Sequence, residues 1–316
     1  MKKRISTITF EPPMLPFDDP EPSDDKELST DSSAERDRRL FYMSFGSGSS
    51  GNSSYIGSAA GGLIIDAGLR ADIIESRLKG AGIDMRDVKG ILLTHDHSDH
   101  VRYAYALLRN NKHLKLFCTN RVLQGILRRH SISKRIKEYH VPIFKEHPFR
   151  MLDFMITAFD VPHDGSDNMG FNIEFDNRNF VLATDLGTIN ERAQHYMSQA
   201  DYLVIESNYD REMLLSGRYP EYLKSRIMAY NGHMDNSATA DFLARIWTDR
   251  LRHIFLCHLS QDNNTPSKAM KATRDALETR GLKVGHGENS FSDRQADVQL
   301  TILPRFDATP LYVFRP

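Results

Sequence analysis

From Phe41 onward, short apolar runs alternate with amphipathic stretches. FYMSF, GGLIIDAG, GILLTH, LKLFCT, FMITAFDVPH, GFNIEF, NFVLATD, DYLVIES and HIFLCH are bounded by Gly, Asp or Asn. Such runs predict strands, many of them buried on both faces. Between them, ADIIESRLKGAG, VRYAYALLRN, NSATADFLARIWT and KAMKATRDALETRG read as helices, the last closing on Gly281. Strands interleaved with helices predict an α/β class. Residues 1–40 break the pattern: they are rich in Pro, Asp, Glu and Ser and poor in large aliphatics. A segment of that kind buries too little to offset its ordering entropy. The expected organisation is a disordered tail over 1–40 and one domain over 41–316. No internal repeat is visible.

The chain of 316 residues is long enough for a substantial core. A formal net charge of -1 excludes a strong global field. Two cysteines cannot make a disulfide framework, which suits a reducing compartment. No apolar run approaches the roughly 20 residues that cross a bilayer. The basic start lacks the apolar stretch of about 7–15 residues that a secretory signal carries. A cytoplasmic protein with no membrane partner is expected. Charge is unevenly placed. Residues 101–150 hold twelve Lys or Arg against Glu138 and Glu146, a local net charge of +10 that the rest offsets with -11. Within that block Arg128, Arg129, Lys134 and Arg135 suit a phosphate backbone. A solvated face is the other reading.

The polar residues fall at strand ends. GILLT stops before His95, FDVP at His163, FVLAT before Asp185 and HIFLC at His258. If those strands share an orientation, the four points lie along one rim. In ILLTHDHSDH, His95, His97, Asp99 and His100 offer three nitrogens and a carboxylate within a few residues. Such ligands suit zinc, manganese or iron. The spacing of His95 and His97 sends both to one side of an extended loop. Asp99 and His100 can open the next helix and face elsewhere. One segment can thus feed two neighbouring metals, with His163 completing the first site, His258 the second, and Asp185 bridging. The alternative is a hydrated polar loop. Asp96 and Asp164 flank these histidines and can accept a ligand's second N–H, or lie exposed.

Other candidates are weaker. SGSGSSGN, with Ser49, Ser50, Gly51 and Asn52, reads as a tight turn whose N–H groups can bind phosphate, or as a linker. Asn263 and Asn264 follow His258 and can line a substrate groove or hold a loop; Ser207 and Asn208 are similar. Cys257 should point away from the rim and be buried. His113, His130 and His140 show no partner pattern.

THDHSDH matches the T-H-x-H-x-D-H motif of the metallo-β-lactamase superfamily in full, and His163, Asp185 and His258 follow in the order of its later ligands. The resemblance covers residue 41 to about 300. Within it, SFGSGSSGNSSYI resembles the opening of the YycJ/WalJ group of nucleases. VPHD, ATDLG, IESNYD, NGHMDN and CHLSQDNN then follow in that group's order. The group's G-H-L-S-N stands here as Gly232-His233-Met234-Asp235-Asn236, with Asp in place of Ser.

The resemblance implies a four-layer αββα sandwich with a two-metal site, zinc or manganese, at one edge. It implies a phosphodiesterase, a 5′-to-3′ exonuclease on DNA, in which the metals generate hydroxide and clamp the phosphate. Asp99 would be catalytic as well as a ligand. Glu206 and His233 resemble the proton-donating pair of the tRNA-processing relatives. The short span from Asp185 to His258 leaves no room for the extra domain of the RNA-processing and interstrand-repair relatives. Three other readings stay open: a thioester or small-ester hydrolase of the glyoxalase II type, an RNA-directed nuclease, and a non-catalytic, metal-stabilised interaction module. Oligomeric state is not legible.

Overall fold

The computed structural model describes residues 38–287 and 295–316. The expected tail falls, through residue 37, outside the described residues. The first elements are β1 (Leu40–Gly46), β2 (Ser53–Ser58), β3 (Gly61–Ile65), α1 (Ala71–Gly80), β4 (Val88–Leu92), α2 (Ser98–Val101), α3 (Ala104–Asn110), β5 (Lys115–Cys118), α4 (Asn120–Arg129) and β6 (His140–Pro142). Next come β7 (Phe149–Met151), β8 (Phe154–Asp160), β9 (Met169–Phe175), β10 (Arg178–Ala183), α5 (Glu191–Met197), β11 (Tyr202–Glu206), α6 (Arg211–Ser216) and α7 (Glu221–Ile227). The last are α8 (Asn236–Ile246), β12 (His253–Cys257), α9 (Pro266–Thr279), β13 (Val284–Gly285), β14 (Val298–Ile302) and β15 (Tyr312–Phe314).

These strands form two sheets, in the orders β15-β1-β2-β3-β4-β5-β6 and β13-β14-β12-β11-β10-β9-β8-β7. The sheets pack face to face: the Tyr42 ring lies 4.7 Å from Phe180 and 5.1 Å from Phe255. Strand alternation explains why the runs looked apolar throughout. Phe180, Leu182, Tyr202, Val204 and Phe255 face the core between the sheets. Their neighbours Val181, Ala183, Leu203, Ile205 and Ile254 face a second core, built with Met197, Phe242 and Leu277 of α5, α8 and α9. Ile74, Leu107 and Ile126 of α1, α3 and α4 complete the first core. The four-layer αββα sandwich follows: each sheet has two faces to cover, and each apolar face removed from water contributes roughly 25 cal/mol per Å².

Two details depart from the sequence reading. VRYAYALLRN is not one helix. The chain kinks between α2 and α3, where Tyr103 N–H donates to Ala67 O at 2.9 Å. The edge strands β6, β7, β13 and β15 went unread because runs of two or three residues carry no periodicity. No helix among the described residues is long and apolar enough to cross a membrane.

Topology sets the rim. β10, β11 and β12 run parallel. β8 and β10 are each antiparallel to β9, so β8 runs with them. β3, β4 and β5 are parallel in the other sheet. The C-terminal ends of these strands therefore open on one edge. Asp235, at the motif position where the resemblance leads one to expect Ser, is the N-cap of α8 and accepts the N–H groups of Ser237 and Ala238 at 2.9 Å each. Ser and Asp are near-equivalent caps, which accounts for the exchange. Asp235→Ser should leave the melting temperature almost unchanged, whereas Asp235→Ala should cost about 1 kcal/mol. Thermal unfolding of the two variants checks this.

Candidate metal centre

Three strand-end residues adopt left-handed backbone: Asp66 (φ 60°), Asp185 (φ 53°) and His258 (φ 54°). For non-glycine residues this costs on the order of 1–3 kcal/mol each. All three carboxylate or imidazole groups are buried at the same edge.

The histidines there share one arrangement: one ring nitrogen is tied to protein and the other turns inward. His95 Nδ1 meets Thr94 Oγ1 at 2.9 Å, and Thr94 Oγ1 donates onward to Asp66 at 2.9 Å. His163 Nδ1 donates to the carbonyl of Gly232 at 2.9 Å. His100 Nδ1 donates to Asp66 Oδ2 at 2.7 Å, and His258 Nδ1 to Glu206 Oε1 at 2.9 Å. His97 is reversed: its Nε2 lies 3.2 Å from Asp164 Oδ1, and its Nδ1 3.3 Å from His163 Nε2. Carbonyls and carboxylates only accept, so such a tether holds a proton on the outer nitrogen and leaves the inner nitrogen to face the centre, free to ligate a cation once any proton on it is released.

The inward atoms form overlapping sets, each within 4.8 Å: His95, His97 and His163; Asp99, His100 and His258; His95, His100 and Asp185; and Asp185, Glu206, His233 and His258. Asp185 sits between the first two sets, with Oδ2 3.1 Å from His100 Nε2 and Oδ1 3.8 Å from His163 Nε2. Two of the inward nitrogens, His95 Nε2 and His258 Nε2, are buried and have no hydrogen-bond partner among the described residues. Such an atom costs about 1–3 kcal/mol. The donor set, three imidazoles beside a carboxylate-and-imidazole set joined by one aspartate, fits two divalent cations.

Electrostatics agree. Burial, with His100 opposite, holds His95 well below the ordinary imidazole range, so it presents a lone pair at neutral pH. His163 is lowered too, chiefly by burial. Burial also opposes charge on His258, but Asp185, Asp99 and Glu206 outweigh it and push the ring up to about 10. His100 rises for the same reason, against burial, through Asp185, Asp66 and Asp99. Protons and cations thus compete for one carboxylate-rich space, and cation uptake releases protons.

Glu206 is fully buried at the end of β11. Besides His258 it holds His233 Nδ1 at 2.7 Å, and it accepts the N–H groups of Leu186 and Met234 at 2.8 and 3.2 Å. Burial disfavours the His233 imidazolium, but Glu206 more than compensates and the ring titrates above its usual value. Its side chain keeps 22% exposure, so a ring whose charged form Glu206 favours stays reachable.

A cavity of about 500 Å³ opens over the centre. His97, Asp99, His163, Asp185, His233 and His258 all face it. Of the expected substrate contacts, Ser49, Arg129 and Asn208 line it; Arg128, Lys134 and Arg135 do not. Arg135 pairs instead with Glu138 at 3.1 Å. In SGSGSSGN most of the N–H groups expected to cradle phosphate are used within the protein. The N–H groups of Ser47, Gly48, Gly51 and Asn52 are spent on Pro304 O, Asn52 Oδ1, Gly48 O and Asp99 O. Ser50 is exposed away from the cavity. The loop's role is support: Asn52 Nδ2 donates to Asp99 Oδ2 at 3.2 Å, and Ser47 Oγ accepts the N–H of His258 at 2.9 Å. Gly51, at φ +155°, lies so close to Gly68 that a Cβ would come within 2.8 Å of the Gly68 carbonyl oxygen.

Asn263 and Asn264 do not line the groove either. Both are buried, and Asn264 Nδ2 donates to the carbonyls of Ser207 and Asn208 at 3.0 and 2.9 Å. Asp164 takes the expected place behind His97, whereas Asp96 accepts from Ser166 N–H and Oγ at 2.8 and 2.7 Å. Cys257 is buried as expected.

Sequence reasoning missed Asp66, Arg226 and His130. Asp66 carried a usable signal, since it ends the run GGLII as His258 ends HIFLC. Asp66→Ala should lower cation affinity about 10–100-fold, as loss of an outer hydrogen-bond partner does. Competition with a chromophoric chelator measures it. Arg226 and His130 sit on walls far from the motifs in sequence, and no linear pattern marked them.

A beta-lactamase superfamily domain matches residues 63–258. The chain is 34% identical over 247 residues to a protein of Bacillus anthracis named exodeoxyribonuclease YycJ, covering 78% of this chain and 92% of that one. It is 32% identical over 250 residues to exodeoxyribonuclease WalJ of Streptococcus pneumoniae, covering 77% and 90%. Among solved structures, the metallo-β-lactamase fold protein YhfI of Bacillus subtilis superposes with a TM-score of 0.61 at 13% identity, over 87% of this chain and 99% of that one. Zinc-bound PqqB of Methylobacterium extorquens gives 0.60 at 15%, over 85% and 99%. With its ligand motif, its two-sheet sandwich and these relatives in agreement, the chain belongs to the metallo-β-lactamase-fold hydrolase superfamily, within the YycJ/WalJ group.

Proposed function

We propose that the protein is a two-metal phosphodiesterase that degrades DNA from the 5′ end. The observation that carries the reading is the pair of adjacent three-ligand sets joined by Asp185 beneath a cavity that Arg129, His130 and Arg226 also line. His95, His97 and His163 would hold one cation, and Asp99, His100 and His258 the other, with Asp185 shared. Zinc and manganese both suit these donors. Bound there, the cations would activate water and neutralise charge on the phosphate. Arg129 and Arg226 would steer the polyanion to the cavity. His233, oriented by Glu206, would donate a proton to the leaving oxygen. The names of the relatives support DNA and an exonucleolytic mode, and the family resemblance supports the polarity. A small uncharged ester would gain little from two arginines at the cavity wall, whereas a phosphate backbone meets them with charge. The free, buried cysteines suit a reducing compartment, and we place the protein in the cytoplasm.

The test is cleavage of end-labelled single- and double-stranded DNA and RNA after chelation and re-addition of zinc or manganese. A ladder stepping in from the 5′ end of DNA is expected, and chelation should abolish it. If metal-replete protein leaves every nucleic acid intact, the reading fails and thioesters become the next substrates to try.

A further inference from the structure

We propose that Asp96 is a positioning residue for the substrate: it fixes Arg129 against the metal loop, so that the guanidinium meets the phosphate backbone in register with the cations. This rests on the nuclease reading above and adds which residue sets the substrate's place. Asp96 stands between His95 and His97 in the ligand motif, yet its carboxylate makes no hydrogen bond to either ring among the described residues. It is fully buried at the edge of the cavity. A buried carboxylate needs partners, and those of Asp96 lie outside the ligand set.

Those partners come from two segments. Ser166 donates by its N–H and its Oγ at 2.8 and 2.7 Å. Its loop is itself tied to His163, whose carbonyl accepts from Asn168 Nδ2 at 2.7 Å. The second segment is the C-terminal end of α4. Arg129 Nη1 lies 3.5 Å from Asp96 Oδ1, and His130 Nε2 donates to the Asp96 carbonyl at 2.6 Å. Gly125, one turn before Arg129 on the same face of the helix, explains the close approach: a Cβ there would stand 2.0 Å from Asp96 Oδ2. At the other end of α4, Thr119 Oγ1 donates to Asp167 Oδ2 at 2.7 Å. The helix is thus pinned at both ends to the loops that carry His95, His97 and His163.

The pinning leaves Arg129 usable. One guanidinium nitrogen faces Asp96, and the side chain keeps 45% exposure. Nη2 and Nε make no hydrogen bond among the described residues. A guanidinium held by one edge keeps its other donors for a phosphate oxygen, and a side chain already in place loses less freedom on binding. Asp96 is one residue from both His95 and His97. The point where Arg129 grips the backbone is therefore keyed to the point where it is cut. An asparagine at this position has the same shape. It can still accept the Ser166 N–H and meet the Ser166 hydroxyl, but it lacks the charge that holds Arg129.

The experiment measures KM, its salt dependence and kcat on DNA for metal-loaded wild type, Asp96→Asn, Arg129→Ala and the double variant. Arg129→Ala should raise KM about tenfold, the order for one lost charge-assisted hydrogen bond. It should also lower the slope of log KM against log salt by about one, the mark of one lost phosphate contact. Asp96→Asn should raise KM about three- to fivefold, the order for one partly exposed ion pair, with kcat within about twofold. In the Arg129→Ala background the same substitution should add nothing, because the group it positions is gone. Elemental analysis should give every variant the cation content of wild type. If Asp96→Asn raises KM as much without Arg129 as with it, or sheds cations, Asp96 only supports the metal loop and this inference alone is overturned. An unchanged KM in Asp96→Asn overturns it as well. If metal-loaded wild type cuts no nucleic acid, the nuclease reading falls first and this inference falls with it.

Discussion

Asp185→Ala is expected to abolish hydrolysis and to strip cations from both ligand sets at once. Asp185 is buried and lies between the two sets, 3.1 Å from His100 and 3.3 Å from His258. Removing a buried counter-charge costs about 3–5 kcal/mol, which is a factor of about 10²–10⁴ in cation affinity. On the two-cation proposal, elemental analysis should show two cations per chain in wild type and less than one in the purified variant. The metal-free protein provides a second readout with a definite sign. His258 is raised from 6.5 to about 10 in the folded chain, so its contribution to stability is fully present below pH 6.5 and is lost as pH rises through 10. Asp185 is held well below its ordinary value, against burial, by His258 and His100. Its contribution is present above about pH 4 and lost as pH falls. Chelated wild type should therefore be best stabilised by this cluster between those limits, and Asp185→Ala should flatten that window. A variant that kept two cations and full activity would remove Asp185 from the bridging position.

The candidate ligand residues were legible because chemistry and strand ends coincide in the sequence. Where FVLAT gives way to Asp185, an apolar run stops and a metal-capable side chain starts, and the parallel orientation of β8, β10 and β12 makes those stops coincide in space. The apolar strands themselves were legible because both faces of each sheet are covered, which removes polar alternation. Other features were not legible for identifiable reasons. Linear nearness to a ligand says nothing about direction: Asn263 and Asn264 follow His258 yet turn inward to lock backbone carbonyls. Ser50 and Gly51 likewise sit in a turn that supports Asp99 without facing the cavity. The basic block is contiguous in sequence, but helical geometry disperses it, and Arg129 reaches the cavity where Arg128 does not. Left-handed backbone at Asp66, Asp185 and His258 leaves no mark on a residue-type pattern. Arg226 comes from a segment with no motif, and only the folded chain brings it to the cavity.

His233→Ala should lower kcat by about 10²–10⁴-fold, the range for loss of a positioned general acid, while the cations stay bound. The distinction from Asp185 rests on geometry. His233 is 3.9 Å from Asp185 and is oriented by Glu206 at 2.7 Å, and it belongs to neither three-residue set that completes a cation site. The pH profile separates an acid from a merely structural residue. A proton donor must be charged before it can act, and Glu206 raises His233 above its usual range. The wild-type rate should therefore fall as pH rises through that raised pKa, at a higher pH than an ordinary imidazole would set. In His233→Ala the alkaline fall should vanish, because the group responsible for it is gone. Leaving-group chemistry gives the complementary readout. A nitrophenyl phosphodiester expels an anion that is stable without a proton, whereas a nucleoside oxygen is not. The variant should therefore lose far less on the nitrophenyl substrate than on DNA. Equal losses on both, with the alkaline limb intact, would assign the proton to another donor and leave His233 as a residue that only shapes the cavity. Glu206→Gln should follow the same pattern more weakly, since an amide can still position the ring but no longer raises its pKa.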